Sequence, residues 1–110
     1  MGRPDAPFPV MGLSISVDRT SAVRIRVAGE IDLSNFNHFV ESVTLHAPDD
    51  GAWILDMCGV TYVDTTAIRA LLSLRERFGE VFAIVPSVRL LRILEVTGLR
   101  DAFRWIEIAE

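Results

Sequence analysis

The run from Val60 to Leu74 admits few foldings. It starts in β-branched and aromatic residues (Val60, Thr61, Tyr62, Val63), passes through Asp64, Thr65 and Thr66, and continues in a helical pattern. Such a run is a strand end, a tight turn and a helix N-terminus. Asp64 is placed to be the N-cap, because its carboxylate can accept a hydrogen bond from the free backbone N–H of Thr66 or Ala67. With about 100° of rotation per residue, Ala67, Ile68, Leu71, Leu72, Leu74 and Phe78 share one apolar face. Thr66, Arg69, Ser73, Glu76 and Arg77 lie opposite. The Thr66 side chain is therefore expected to point to solvent.

The flanking sequence supplies the rest of an alternating chain. Leu13, Ile15 and Val17 alternate with polar residues, as do Val23, Ile25 and Val27, so both runs read as half-buried strands. The short polar Asp18-Arg19-Thr20-Ser21 between them predicts an antiparallel hairpin. Gly29-Glu30-Ile31-Asp32 then leads into a helix carrying Phe36, Phe39, Val40 and Val43, capped by Asp32 or Ser34. Trp53-Ile54-Leu55 and Val81 to Val85 are unbroken apolar runs, the pattern of central, parallel strands covered on both faces. Ser87 opens a third helix whose buried stripe is Leu90, Leu91, Ile93 and Leu94; Gly79 and Gly98 end the second and third helices. A short helical turn from Leu99 to Phe103 and a last strand at Trp105 to Ile108 complete the reading. The expected fold class is α/β, with two layers: helices packed against a mixed, mainly parallel β-sheet that starts antiparallel. In open α/β sheets, sites collect at the carboxyl ends of the strands, which is where the Asp64 turn falls.

Composition narrows the function. Half the residues are apolar, enough at 110 residues for one domain with its own core. The net charge is −4 and the eleven basic residues, all arginine, are scattered, which argues against nucleic acid as a partner. No apolar run reaches the roughly 18 residues of a membrane span. Residues 1–10, with Pro4, Pro7 and Pro9, read as an extended, flexible leader and not as a signal peptide, so 11–110 is the expected domain and the cytoplasm the expected location. Cys58 has no partner cysteine and no basic neighbour in sequence, the pattern of a packed thiol. His38 and His46 lack a further ligand at metal spacing and read as surface histidines. Nucleophile-elbow and phosphate-cradling patterns are absent. No base, nucleophile and oxyanion donor can be grouped from the sequence, so an enzyme is not expected, nor a cofactor or a metal.

Three motifs in order then identify a resemblance: Gly29-Glu30-Ile31-Asp32, Leu55-Asp56-Met57-Cys58-Gly59-Val60 with Val63-Asp64-Thr65-Thr66, and Val96-Thr97-Gly98-Leu99. Together they resemble the STAS domain of bacterial anti-sigma factor antagonists, over nearly the whole chain from Leu13. The resemblance implies a STAS-like fold and, as partner, an anti-sigma factor with serine/threonine kinase activity. The unmodified antagonist would bind it and free a sigma factor; phosphorylation at the second helix's N-terminus would release it. The family pattern Asp-Ser-Ser-Gly is Asp64-Thr65-Thr66-Ala67 here, which puts the acceptor on Thr66, with Thr65 as the alternative. Threonine is bulkier than serine, and Ala67 in place of glycine removes backbone freedom. The implied partner face is Glu30, Asp32, Asp64, Thr65, Thr66, Ala67, Arg69 and Ser73. Asp64 can cap the helix only, or also position the acceptor hydroxyl or contact kinase-bound metal. Rival readings are a scaffold STAS domain of a stress-signalling assembly and a small-ligand sensor. A single domain favours the free antagonist, a monomer or weak dimer.

Overall fold

The computed structural model describes residues 12–106. The elements are, in chain order, β1 (Leu13–Asp18), β2 (Val23–Ile31), α1 (Phe36–His46), β3 (Trp53–Val63), α2 (Thr65–Phe78), β4 (Phe82–Val85), α3 (Val88–Thr97) and a 3-10 turn (Arg100–Ala102). The expected leader at residues 1–10 and the end of the expected last strand, including Ile108, lie outside the described residues.

The sheet order is β1-β2-β3-β4. β1 and β2 form the expected antiparallel hairpin, with Ile15 opposite Val27 and Val17 opposite Ile25. β2, β3 and β4 run parallel. Outside β4, Trp105 makes one parallel bridge to Ile84. The mixed, mainly parallel sheet read from the sequence is thus the one observed.

Period-two alternation decides which sheet face is covered. Ile25, Val27, Trp53, Leu55, Met57 and Ile84 point into one core with Phe39 and Val43 of α1, Ala67, Leu71 and Leu74 of α2, and Leu90 and Leu94 of α3. The interleaved residues do not: Arg24 and Ile54 are only partly buried and Arg26 is exposed. The unbroken apolar runs therefore mark strands only partly covered on the second face: on the side away from the shared core Ile54 and Ala83 are half-buried, while Val85 is buried. On that side Arg24 Nη1 lies 3.3 Å and Arg26 Nε 3.7 Å from Asp56 Oδ2. The other oxygen of Asp56 accepts from the Cys58 N–H at 3.1 Å. That bond spans an irregular point, where the β2–β3 register shifts between Arg26 and Ala28.

The caps are a mixture of expected and unexpected. Ser87 accepts from the Leu90 N–H at 3.1 Å and starts α3, while Gly98 ends it in the left-handed region at φ 75°. α1 departs from expectation, since its cap residue is Asn35 and not Asp32 or Ser34. Asn35 is buried, with Oδ1 accepting from the Asp32 N–H at 3.0 Å and Nδ2 donating to the Glu30 carbonyl at 2.8 Å. Its side chain ties the entering loop back to β2 instead of bonding the helix. Within α3 the stripe is narrower than expected, with Leu90 and Leu94 buried and Leu91 and Ile93 flanking them.

Candidate functional site

Two parallel strands end side by side, because Ile31 is paired with Val63. The segments that leave them, Asp32–Asn35 into α1 and Asp64 into α2, therefore emerge at one edge of the sheet. Glu30, one residue earlier, sits opposite Tyr62. Sequence positions some thirty residues apart become neighbours, and this edge is the candidate site.

Asp64 is the N-cap of α2, as expected, with its carboxylate accepting from the Thr66 N–H at 2.9 Å. The same oxygen, Oδ1, accepts the Thr66 hydroxyl, and the Asp64 carbonyl accepts from the Ala67 N–H at 3.0 Å. One carboxylate oxygen thus clasps both donors of Thr66. Thr65 is exposed and Thr66 only half-buried. The expectation that Thr66 points freely to solvent is corrected: it flanks the buried stripe and its hydroxyl turns back to Asp64, while Thr65 lies nearly opposite the stripe. The centre of that stripe is set by Ala67, Ala70, Leu71 and Leu74, all fully buried. Ala70 therefore takes the inward position expected of Leu72, which is 37 % exposed. Ala67 belongs to the core and leaves the set of residues able to touch a partner.

The same clasp occurs beside it. Asp32 Oδ1 accepts from the Ser34 N–H at 2.9 Å and from the Ser34 hydroxyl at 2.6 Å. These bonds, the hydroxyl first and the amide second, hold the Asp32 carboxyl below the usual aspartate range. A third clasp, Asp18 with Thr20, forms at the hairpin with bonds of 3.0 and 2.8 Å. An aspartate followed two residues later by a hydroxyl folds this way locally wherever a turn allows it. What distinguishes Asp64 is its place, at the mouth of a long helix on the carboxyl edge of the parallel strands.

Farther along α2, Arg69 holds its guanidinium 5.5 Å from the centroid of Phe36 on α1. Both line a shallow groove between the helices with Leu72, Ser73 and Glu76. Arg69 and Ser73 are exposed, as are Glu30 at the strand edge and Leu33 in the adjoining turn. Sequence reasoning missed Leu33 at 70 % and Tyr62 at 44 % as exposed apolar surface at this edge, and Leu72 in the groove farther along α2. A leucine between Asp32 and Ser34, in a turn that cannot bury it, was the available signal. For Tyr62 there was none, since only its pairing with Glu30 reveals which face it takes.

Other sequence candidates lie elsewhere. Cys58 is exposed rather than packed. Arg24 and Arg26 do stand near it, but its hydrogen bond to Asp56, together with partial burial, pushes the thiol up. His46 Nδ1 lies 2.8 Å from the Ser42 carbonyl within α1. Among the described residues no three His, Cys, Asp or Glu side chains gather at metal-binding distance, and no helix is long and apolar enough to cross a membrane.

The family model described as STAS domain matches residues 15–109. The chain belongs to the STAS domain family. Two relatives, each named anti-sigma-B factor antagonist, come from Listeria monocytogenes and Listeria innocua. Each is 34% identical over 98 residues, covering 83% of this chain and 86% of the relative. Among solved structures, an anti-sigma factor antagonist from Mycobacterium paratuberculosis aligns with a TM-score of 0.73 and 21% identity, over 96% of this chain and 89% of that one. The anti-sigma factor antagonist SpoIIAA in its unphosphorylated form gives 0.64 and 13%, over 87% and 89%. At these identities the two structures speak to the fold, and the STAS architecture read from three short motifs is the one they share.

Proposed function

We propose that this STAS domain is an anti-sigma factor antagonist whose unmodified form binds an anti-sigma factor with serine/threonine kinase activity, thereby releasing a sigma factor. Phosphorylation of Thr66 ends that binding. Support comes from relatives named as antagonists and, in this chain, from one observation: a half-buried hydroxyl at the mouth of α2, on the edge where Glu30, Asp32, Asp64 and Thr65 converge. The partner surface in this reading comprises Glu30, Asp32, Asp64, Thr65, Thr66, Arg69 and Ser73. The domain binds and is modified; it does no chemistry of its own.

The modification balances simply. The Thr66 oxygen forms a bond to the γ-phosphorus of ATP, the bond from that phosphorus to the bridging oxygen breaks to leave ADP, and the hydroxyl proton is lost. The product carries about −1.5 to −2 charges and three strong acceptor oxygens. At a helix N-terminus the macrodipole favours that charge by about 0.3–1 kcal/mol, so the fold is kept. A docked protein must instead desolvate the anion beside Asp64, and an uncompensated buried charge costs on the order of 3–5 kcal/mol. At about 1.4 kcal/mol per decade, affinity falls roughly a hundredfold to a few thousandfold.

Incubation with the cognate kinase and ATP, followed by mass spectrometry of the peptide around Thr66, tests the acceptor; label on Thr65 alone moves the assignment to the more exposed hydroxyl. Titration calorimetry tests the switch. Unmodified protein is expected to bind the partner and phosphorylated protein to lose it. Equal affinity of phosphorylated and unmodified protein refutes the proposal. Light scattering separates the scaffold reading, which requires a large homogeneous particle instead of a monomer or small dimer.

A further inference from the structure

The two edges of the sheet are finished differently. Beyond β4, the Ile84 N–H donates to the Arg104 carbonyl at 2.8 Å and the Ile84 carbonyl accepts from the Ile106 N–H at 2.9 Å, so that edge is covered. β1 forms the other edge. It pairs with β2 from Leu13 to Asp18 without a shift in register. The Glu30 N–H donates to the Gly12 carbonyl at 3.0 Å, which fixes the phase of the ladder. Ser14, Ser16 and Asp18, at even steps from Gly12, bond to β2, while Leu13, Ile15 and Val17 turn their N–H and C=O groups outward. Those groups have no partner among the described residues. Exposed edges are commonly blunted by lysine, proline or a bulge. β1, which reads LSISVD, has none of the three, and its single charge stands at its last residue.

We infer that β1 is the docking edge for a second copy of this chain, the two β1 strands pairing antiparallel about a two-fold axis at Ile15. The edge is complementary to its own reverse, as a closed two-fold contact requires. In this register Ile15 faces Ile15 of the second copy and Leu13 faces its Val17, so every outward N–H and C=O of Leu13, Ile15 and Val17 meets a partner. Moving the axis to Ser16 sets Leu13 against Arg19, which lies past the strand, and leaves the edge incomplete. The side chains agree with the axis at Ile15. Ile15, half-buried and packed against the core, meets its own copy on the helix-covered face, and Ser14 stands opposite Ser16 of the second copy on the other. No like charges are opposed. A ladder this short belongs with small, transient interfaces of under about 1,200 Å², so the dimer is weak and depends on concentration. It joins the two sheets with all helices on one side. Antiparallel pairing points the two Asp64 edges to opposite ends, so one dimer presents two of them. The inference holds whichever residue is modified.

Disulfide trapping on the full 110-residue chain tests both the contact and its register. Cys58→Ser removes the exposed native thiol, and Ser14→Cys and Ser16→Cys are made in that background as separate proteins. The ladder sets position 14 opposite position 16 at a Cβ separation of about 4.5–5.5 Å, within disulfide reach, and keeps like positions on the longer diagonal. In a glutathione redox buffer the mixture is expected to form cross-linked dimer roughly tenfold faster than either protein alone. Ile15→Pro, added to both proteins, takes away the outward N–H at the axis, where an edge strand tolerates proline. Far-UV circular dichroism is expected to stay unchanged, and trapping in the mixture to fall to the level of the unmixed proteins. Equal trapping in mixed and unmixed samples overturns the inference, as does faster trapping of like positions or trapping that survives Ile15→Pro in folded protein. Should Ile15→Pro not fold, sedimentation velocity of the unaltered chain decides. A weight-average mass rising towards the dimer at millimolar protein supports the inference, and a constant monomer mass overturns it.

Discussion

At the residue scale, two aspartate clasps share one edge and do different work on the chain beyond them. Asp64 opens a helix whose first turn it caps, whereas Asp32 holds only its own turn while Asn35 anchors the start of α1. The Asp32 carboxyl is held low chiefly by the Ser34 hydroxyl. Ser34→Ala is therefore expected to move the Asp32 pKa up toward the ordinary aspartate range, as followed by NMR titration of its side-chain carboxyl. The sign of the linked effect is fixed. A carboxyl depressed in the folded state adds stability above its unfolded pKa and loses it as pH falls through the folded value. The acid limb of the stability curve, below about pH 4, should be shallower in Ser34→Ala than in wild type. A clasp of this kind was legible in the sequence at Asp64, because an N-cap bonds within three residues of itself. The buried role of Asn35 was not, since its acceptor, the Glu30 carbonyl, is reached only once β2 and α1 are folded against each other.

At the element scale, the end of β2 is aimed by one glycine. Gly29 has φ +106°, and a Cβ there would stand 2.2 Å from the Gly12 carbonyl oxygen, the atom that accepts the Glu30 N–H at 3.0 Å. Gly29→Ala combines a disallowed backbone with a main-chain clash, so a loss of roughly 2–3 kcal/mol is expected from urea unfolding. Because Glu30 and Asp32 lie directly downstream, partner affinity should fall with it, unlike for a cap change elsewhere. Ser87→Ala is such a change: it removes the bond to the Leu90 N–H at 3.1 Å and should cost about 1 kcal/mol in the same assay, leaving affinity intact. Element types were legible because period two and period 3.6 are local signals. Which flank of α2 is buried was less so, because Ala70 and Leu72 trade places once β-strands fix the rotation of the helix.

For the whole molecule, an aromatic cluster and the proposed partner edge sit at opposite ends of β3. At its start, Trp53 stacks on Phe82 with centroids 4.7 Å apart and meets Phe78 edge-on at 5.3 Å. At its end stands Asp64. Trp53→Ala should cost about 3–5 kcal/mol by denaturant unfolding, while the protein that remains folded binds its partner normally by calorimetry. Trp53→Phe should cost less, since the indole Nε1 is buried without a hydrogen-bond partner among the described residues and its removal forfeits nothing polar. Equal losses for the two variants, or a parallel loss of affinity, would contradict this separation. Neighbours along the chain were enough to set the strands and helices, the Asp64 cap, the glycine stops and the family motifs, because alternation, helical period and turn chemistry act within a few residues. Only the folded arrangement put Glu30 opposite Tyr62, brought Asp32 and Asp64 off the sheet together, sealed Ala67 inside and left Cys58 outside. Those outcomes depend on strand register and on the covering of one sheet face, and both arise from contacts between residues far apart in the chain.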